Sequence, residues 1–178
     1  KLGKLDKALE YMKLSLNEGL DFSRYIAGPR NMLTPLYETE GYKTQLAEYK
    51  LPIIHGPLVG ATGSNYTSVW VRTDKERMVK VELSEKEDFS SIALTAEGKS
   101  LASDDYTVIV KVAGLKASTK YFYRLKVEGK VQKSRGIQMV MTFPAKEDKA
   151  QFSIIFGGGA GFTPKYERMW NTLKSHKP

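Results

Sequence analysis

A glycine-rich turn is the part of this 178-residue sequence whose residue types could do chemistry. Its glycines are Gly157, Gly158, Gly159 and Gly161. They follow the apolar run Phe152–Phe156 and precede Thr163, which can cap a helix that has Pro164 at its first position. Backbone N–H groups of successive glycines can approach a phosphate, and a helix N-terminus favours an anion. A tight turn under a closely packed helix explains the glycines equally well, so both interpretations stay open.

The remaining residue types predict little chemistry. No Gly-Lys-Ser/Thr follows the glycines, which excludes a P-loop, and the dinucleotide fingerprint is not matched either. The sequence has no cysteine, which excludes disulfides, thiolate metal sites and thiol catalysis. His55 lies in an expected edge strand or inter-sheet turn, and His176 ends the last expected helix. Neither histidine has a carboxylate-rich motif nearby, so we expect no catalytic residue, no cofactor site and no metal ligand in this chain.

Charge is separated along the sequence, whose net charge is +8. The stretch Glu82–Asp105 is mostly acidic, and Lys111–Arg135 is mostly basic. Nucleic-acid binding would favour exposed aromatics among the bases. Here Tyr121 alternates out of phase with Arg124 and Lys126, which places it on the opposite face of a strand. We therefore expect no nucleic-acid partner and complementary charges on neighbouring strands instead. No apolar run approaches the roughly 20 residues of a membrane span, so none is expected.

Residues 1–50 are predicted to form a helical and loop extension. One helical stripe is apolar and consists of Leu5, Ala8, Leu9, Met12 and Leu16. Gly19 follows as a C-terminal stop signal. Helix breakers then occur at Gly28-Pro29, Thr34-Pro35 and Gly41. We expect little long regular structure between them, and we expect the stripe to pack on its own chain rather than on a partner.

Residues 51–146 change from helical to strand periodicity. Apolar and polar residues alternate, or β-formers cluster, over 67–72, 79–83, 106–112, 121–127 and 137–143. In the last run the apolar face consists of Ile137, Met139, Met141 and Phe143. Turn signals are Gly60 to Gly63, Gly98, Gly114, Gly129 and Gly136. Short strands about ten residues apart, each with one apolar face, predict a mostly β domain, an antiparallel β-sandwich.

One local motif refines this prediction. Leu115, Thr119, Tyr121, Tyr123 and Leu125 follow the spacing L-x-x-x-T-x-Y-x-Y-x-L. A tyrosine that enters a strand after a crossover can return its hydroxyl to an upstream backbone group, which is the tyrosine corner of Greek-key sandwiches. The run resembles the fibronectin type III consensus, although Ala117 stands where that family usually has proline.

Residues 147–178 change character again. The run 152–156 is apolar except for Ser153, as in a strand buried on both faces. After the glycine turn, a helical stripe consists of Tyr166, Met169, Trp170 and Leu173. A strand, a turn and a helix make half an α/β unit, so we expect the start of a second domain. The sequence begins with Lys1 and shows no signal peptide, which we interpret as a processed or excised piece that ends just inside that domain.

The order of these elements resembles the N-terminal region of PhoD-like alkaline phosphatases, within the wider group that includes purple acid phosphatases. The supporting runs are His55-Gly56-Pro57-Leu58-Val59-Gly60, Val69-Trp70-Val71-Arg72-Thr73 and the run from Tyr121 to Leu125. The resemblance covers about residues 51–178. It implies a fibronectin type III/immunoglobulin-like sandwich without catalytic residues, followed by an α/β domain that binds divalent metal ions or iron and calcium.

The resemblance also implies where the chemistry lies. Many members carry a Ser-Cys pair whose thiolate binds iron, and Gly158-Gly159 stand at that place here. The other ligands of the family are expected beyond Pro178. We therefore expect a fragment that is inactive by itself, with a parent that hydrolyses phosphate esters. In that parent Gly157, Gly158 and Gly159 could face the phosphate.

The resemblance implies export to the periplasm, the cell surface or the medium. The expected partners are the catalytic domain of the same polypeptide and, in the parent, the substrate. A second copy could associate through the segment 152–178, whose apolar residues lack cover. The alternative is an interaction or carbohydrate-binding module of a secreted surface protein, because sandwiches host many unrelated functions.

Overall fold

The computed structural model describes residues 3–133, 136–151, 153 and 169–176. The chain divides into two compact units, Lys1–Phe143 and Pro144–Pro178. The described part of the second unit contains one helix, Met169–Ser175. The expected strand over 152–156 apart from Ser153, the glycine turn and the start of the following helix lie outside the described residues. No described helix has the length and apolar character needed to cross a membrane.

The first helix, α1 (Gly3–Asn17), forms as predicted. Met12 lies at the centre of its apolar stripe and is fully buried, because the stripe packs against the helices that follow. Gly19 ends the helix with a φ of +91°, which glycine adopts without the strain of a Cβ. The Leu20 N–H donates to the Ser15 carbonyl at 2.9 Å, which is the long-range bond of a Schellman C-cap.

The chain between Gly19 and Lys50 forms three short helices, which agrees with the expectation of little long regular structure there. The chain forms α2 (Ser23–Ala27), α3 (Arg30–Tyr37) and α4 (Glu40–Glu48). Of the expected breakers only Gly28-Pro29 marks a boundary, since Pro29 directly precedes α3, whereas Pro35 lies inside α3 and Gly41 lies inside α4. The Thr39 hydroxyl caps α4 by accepting from the Tyr42 N–H. Tertiary packing makes these short helices stable, since short isolated helices are marginal in water.

An aromatic cluster holds these helices together. Its buried members are Met12, Phe22, Ile26, Leu36, Tyr42 and Ile54. The Tyr42 ring lies 5.2 Å from that of Phe22 and 4.7 Å from that of Tyr37, within the range of favourable ring contacts. Gly41 lies in α4, where an added Cβ would approach Leu9 Cδ1 to 2.7 Å. This glycine therefore permits close packing of α4 on α1.

Eight strands follow in the part of the chain that the structure describes, and every pairing between them is antiparallel. They are β1 (Ile53–Gly60), β2 (Tyr66–Thr73), β3 (Arg77–Ser84), β4 (Leu94–Ser100), β5 (Thr107–Ala113), β6 (Lys120–Val127), β7 (Lys130–Val131) and β8 (Met139–Met141). One sheet has the order β1-β2-β5, and the other has the order β4-β3-β6-β7 with β8 also paired to β6. Inner side chains of both sheets form one core, as the predicted β-sandwich requires.

The tyrosine corner is confirmed. Tyr121 is only 1% exposed, and its hydroxyl accepts a hydrogen bond from the Lys116 N–H at 3.0 Å. This bond spans five residues across the turn before β6. It satisfies both a buried hydroxyl and a backbone donor, and it fixes where β6 enters the sheet.

Gly98 does not form the predicted turn. It lies inside β4, opposite Val79 of β3. An added Cβ would meet Val108 Cγ2 at 2.9 Å, so the absence of a side chain allows β4 to approach β5 closely. The sequence pattern around Gly98 is mostly polar and has only one β-branched residue, Thr95, which is why β4 is not apparent from it.

The last strand has the opposite phase from the predicted one. The residues expected inside are exposed: Ile137 61%, Met139 59%, Met141 59% and Phe143 47%. Val140 and Thr142 are buried instead. The Thr142 hydroxyl donates to the Lys116 carbonyl at 2.6 Å and accepts from the Thr119 N–H at 2.9 Å. These bonds to the tyrosine-corner loop point Thr142 inward, and the alternation of a strand then points its neighbours outward.

Candidate functional site

The residues singled out for phosphate contact, Gly157, Gly158 and Gly159, lie outside the described residues. His176 follows the last helix as expected, and its N–H donates to the Leu173 carbonyl at 3.2 Å. His55 lies in β1, an edge strand, where it pairs with Arg72 of β2. The two histidines therefore belong to different compact units.

A metal centre does not fit the described residues. No group of three or more His, Asp or Glu side chains that could hold a metal ion occurs among them. Two acidic side chains do gather cations, but those cations are arginine and lysine side chains. The two clusters lie on different sheets and are described in turn.

The first cluster, called the Asp105 junction, consists of Arg30, Arg72 and Asp105. Arg30 Nη1 of α3 lies 3.0 Å from Asp105 Oδ1. Arg72 Nη2 of β2 pairs with Asp105 Oδ2, and Arg72 Nε donates to the Asp105 carbonyl at 3.2 Å. The Arg30 guanidinium also lies 4.7 Å from the ring centre of Tyr106. One carboxylate thus connects the helical segment to the three-stranded sheet.

The backbone of this junction adopts an uncommon conformation. Asp105 and Tyr106 have φ values of +55° and +58°, in the left-handed region that L-residues seldom occupy. Short polar residues such as Asp tolerate this region better than most. The paired arginines hold Asp105 in that conformation just before β5 begins.

The junction also affects two neighbouring titratable groups. Burial, then the positive charges of Arg72 and Arg24, lower the pKa of His55, while Asp105 acts in the opposite direction. Burial raises the pKa of Tyr37, although Arg30 and Arg72 partly offset this effect. His55 is therefore held in its neutral form near neutral pH, which favours a structural role over proton transfer.

The second cluster, called the Glu82 cluster, lies on the outer face of the five-stranded sheet. Glu82 Oε2 lies 2.7 Å from Arg124 Nε, and Glu82 Oε1 lies 2.6 Å from Lys126 Nζ. Burial opposes ionisation of Glu82, but the hydrogen bonds from Lys126 and Arg124 outweigh it and lower its pKa. The complementary charges expected on neighbouring strands are confirmed here, since Glu82 is on β3 and its partners are on β6.

A shallow groove of about 390 Å³ lies beside the Glu82 cluster. Its walls include Phe89, Phe122, Arg124 and Ile137. The Arg124 guanidinium lies 4.5 Å from the ring centre of Phe89, within the range of a cation–π contact. The groove continues into the exposed apolar side chains Ile137, Met139, Met141 and Phe143, which we call the β8 row.

The three-stranded sheet has an apolar row of its own on its outer face. Leu58 pairs with Trp70, and Trp70 pairs with Ile109 across the sheet. Leu58 and Ile109 are 60% and 67% exposed. We call these residues the Trp70 row. Both sheets thus present apolar side chains outward, whereas an antiparallel sheet facing water ordinarily presents polar ones.

Sequence patterns indicate some of these features and miss others. The opposite charges of the two stretches point to the Glu82 cluster. No sequence signal connects Arg30 with Asp105, because the fold alone brings these distant residues together. The β8 row is missed because apolar alternation does not reveal which face is inward when a buried threonine sets the phase.

The comparisons with known proteins agree with this architecture. A family model described as the N-terminal domain of PhoD-like phosphatases matches residues 40–144, from the start of α4 to just past β8. A search of the curated proteins gave no match.

Several solved structures are similar to parts of the chain. One described as the structure of PhoD has 21% identity and a TM-score of 0.46, and the match covers 52% of this chain and 19% of that chain. A fibronectin type III domain from human KIAA0970 protein has 12% identity and a TM-score of 0.41, covering 70% and 97%. A sensor domain of the anti-sigma factor RsgI4 from Pseudobacteroides cellulosolvens has 13% identity and a TM-score of 0.35, covering 60% and 98%.

The match to the structure of PhoD spans about a fifth of that chain's length. The family model, by contrast, covers more than half of the present sequence, including the eight strands found among the described residues. On this ground the chain belongs to the family of PhoD-like phosphatase N-terminal domains.

Proposed function

We propose that residues 1–143 act as the non-catalytic N-terminal domain of a metal-dependent phosphatase or phosphodiesterase. Membership of a family of phosphatase N-terminal domains is the observation that carries this proposal. The internal pairing of the charged clusters supports it. Asp105 is bound by Arg30 and Arg72, and Glu82 is bound by two cations of β6, so these acids stabilise the fold rather than a reacting group.

The parent polypeptide is proposed to hydrolyse phosphate esters at a centre that holds divalent ions, or iron and calcium. The described residues do not fit such a centre, so its ligands are proposed to lie elsewhere in the parent. A bound metal ion in such enzymes activates water and stabilises charge on the phosphoryl oxygen. The proposed partner of this domain is the catalytic domain of the parent. Nucleic acid is not proposed as a partner. Export from the cytoplasm is proposed from the family resemblance.

The glycine turn is proposed as a phosphate-facing element of the parent. The support is its sequence, since successive glycines ahead of a helix expose N–H donors. Changing Gly158→Ala and Gly159→Ala in the full-length parent tests this. A loss of phosphatase activity with little change in Tm would support phosphate contact. Equal losses of both would indicate a structural turn, and unchanged activity would exclude the site.

An assay of this chain alone tests the non-catalytic role. The purified 178-residue protein is incubated with p-nitrophenyl phosphate or its bis-ester and a series of divalent ions. We expect no turnover above a metal-only control. Turnover that depends on the protein would contradict the proposed function, because it would place a complete catalytic centre inside this chain.

The Trp70 row favours one alternative function, an interaction or carbohydrate-binding module. An indole with one apolar face and a polar N–H suits stacking on a sugar or packing on another protein. Pull-down on insoluble polysaccharides and glycan-array binding test this function. Saturable binding that Trp70→Ala abolishes, with the Tm unchanged, would support the alternative over the phosphatase role.

A further inference from the structure

The β8 row is a continuous apolar surface that the described structure leaves largely exposed. Met139 lies opposite Phe122 of β6, and Met141 lies opposite Lys120. The row therefore extends from the groove at Ile137 to Phe143, along the outer face of the five-stranded sheet. Single exposed apolar residues are common on protein surfaces, whereas contiguous patches mark binding sites.

Stability of the sandwich does not account for this row. The inward positions of the strand are occupied by Val140 and Thr142, and the hydrogen bonds of Thr142 fix that phase. Polar side chains at the outward positions would leave those bonds intact. The outward positions are nevertheless filled by one aromatic and three aliphatic or thioether side chains. An interaction with a surface outside this domain explains these apolar side chains better than the stability of the sandwich does.

The place of the row in the chain indicates what covers it. The family match ends at residue 144, one position after Phe143, and the family is by description an N-terminal domain. In a parent phosphatase the following polypeptide therefore starts at the end of the row. A short connection raises the effective concentration of two surfaces to the millimolar range, so a small patch suffices for docking.

The size of the row disfavours a second copy of the chain. A stable interface between separate proteins typically uses about 20 residues or more on each side. The row offers four side chains, together with Phe122 and the groove walls. Such an area fits a tethered partner better than a free one.

We propose that the β8 row is the docking surface for the phosphatase domain that follows in the same polypeptide. This inference rests on the proposed function. The complementary surface is apolar and carries acidic groups at its edge. Lys120, whose Nζ lies 5.2 Å from the ring centre of Phe122, borders the row on the β6 side. Its charge would meet those acids at the rim of the interface.

Paired substitutions in two proteins test the proposal. Met139→Thr with Met141→Thr removes the centre of the row and retains high strand propensity. Leu58→Thr with Ile109→Thr is the matched control, because these residues are equally exposed on the other sheet. Each pair is introduced into the 178-residue chain and into the full-length parent, and thermal unfolding is followed by calorimetry.

In the parent, the Met139 and Met141 pair is expected to lower the Tm of the N-terminal domain by roughly 3 °C or more. In the 178-residue chain the same pair is expected to shift the Tm by about 1 °C or less. The control pair should have equal effects in both proteins. Equal effects of the methionine pair in both proteins would overturn the proposal, and so would concentration-dependent dimers of the 178-residue chain that this pair abolishes.

Hydrogen exchange of the unmodified proteins gives a second measurement that needs no variant. Protection of the amides around Phe122 and Met139 should be higher in the parent than in the 178-residue chain. Equal protection would contradict docking. The readouts are independent of catalysis: a parent without phosphatase activity that shows the Tm difference would refute the proposed function alone, and an active parent without that difference would refute docking alone.

Discussion

Arg30 Nη1 lies 3.0 Å from Asp105 Oδ1, and this ion pair joins the N-terminal helices to the sandwich. The same carboxylate also pairs with Arg72, which comes from the strand next to β5. The family match starts at α4, after Arg30, so the junction connects a segment outside the matched region with one inside it. The helical segment and the sandwich are thus held together by charge as well as by the packing of Ile54 in the aromatic cluster.

Asp105→Asn should weaken this junction without changing its backbone. Asn tolerates the left-handed conformation of Asp105, so only the charge is lost. Because Asp105 is half-exposed, we expect the free energy of unfolding to fall by about 1 kcal/mol, and by less in high salt. Urea denaturation at low and high salt measures this. Asp104→Asn is the control, and an equal effect of both changes would contradict the assigned role.

Tyr121→Phe should destabilise the sandwich through one hydrogen bond. The change removes the acceptor of the Lys116 N–H and keeps the ring in the core. A backbone donor without its partner costs about 1–2 kcal/mol. Chemical denaturation measures the loss, with Tyr11→Phe on the exposed side of α1 as the control. An unchanged free energy of unfolding would show that the tyrosine corner does not stabilise this domain.

Local patterns predict four strands of this domain and miss β4 and the phase of β8. Strands β2, β3, β5 and β6 are recognisable because β-branched or aromatic residues alternate or cluster there. In β4 the polar sequence around Gly98 conceals the strand, since only the approach of Val108 explains why glycine is needed. In β8 the alternation is visible but its phase is not. That phase depends on Thr142, whose partners lie more than twenty residues earlier in the chain.

The candidate site is predictable to a smaller extent. Complementary charge on β3 and β6 follows from the composition of the two stretches, and Glu82 with Arg124 confirms it. The Asp105 junction depends on contacts between the helical segment and a turn. No periodic pattern in the sequence indicates such contacts. The glycine turn at 157–159 lies outside the described residues, so its role stays a prediction.

Glu82→Gln should give a pH-dependent loss of stability. The lowered pKa of Glu82 means that its contribution is complete above the unfolded pKa and is lost as the pH falls through the folded pKa. We expect a loss of about 1–2 kcal/mol at pH 7, because Arg124 and Lys126 each lose a charged acceptor. The loss should shrink as the pH falls through the folded pKa of Glu82, because the unmodified side chain then becomes neutral as well. Glu97→Gln, at an exposed pair with Lys80, is the control, and a pH-independent loss would contradict this assignment.

His55→Gln should make the free energy of unfolding depend less on pH between neutral and mildly acidic pH. The folded pKa of His55 lies below its ordinary value, mainly because of burial. As the pH falls below about 6.5, the unfolded chain binds a proton at this residue before the folded one does, and stability declines. Urea denaturation from pH 7.5 to 5 should show that decline in the unmodified protein and a flatter profile for His55→Gln. A flatter profile for His176→Gln instead would contradict this explanation.

The central claim is that this chain supplies a non-catalytic N-terminal domain to a metal-dependent phosphatase. Its most direct test is the hydrolysis of p-nitrophenyl phosphate and its bis-ester by the full-length parent and by the 178-residue chain, each with and without a chelator. We expect turnover by the parent that the chelator abolishes and a metal ion restores, and no turnover by the 178-residue chain. Turnover by the chain alone, or a folded parent that hydrolyses neither ester with any divalent ion or with iron, would contradict the claim.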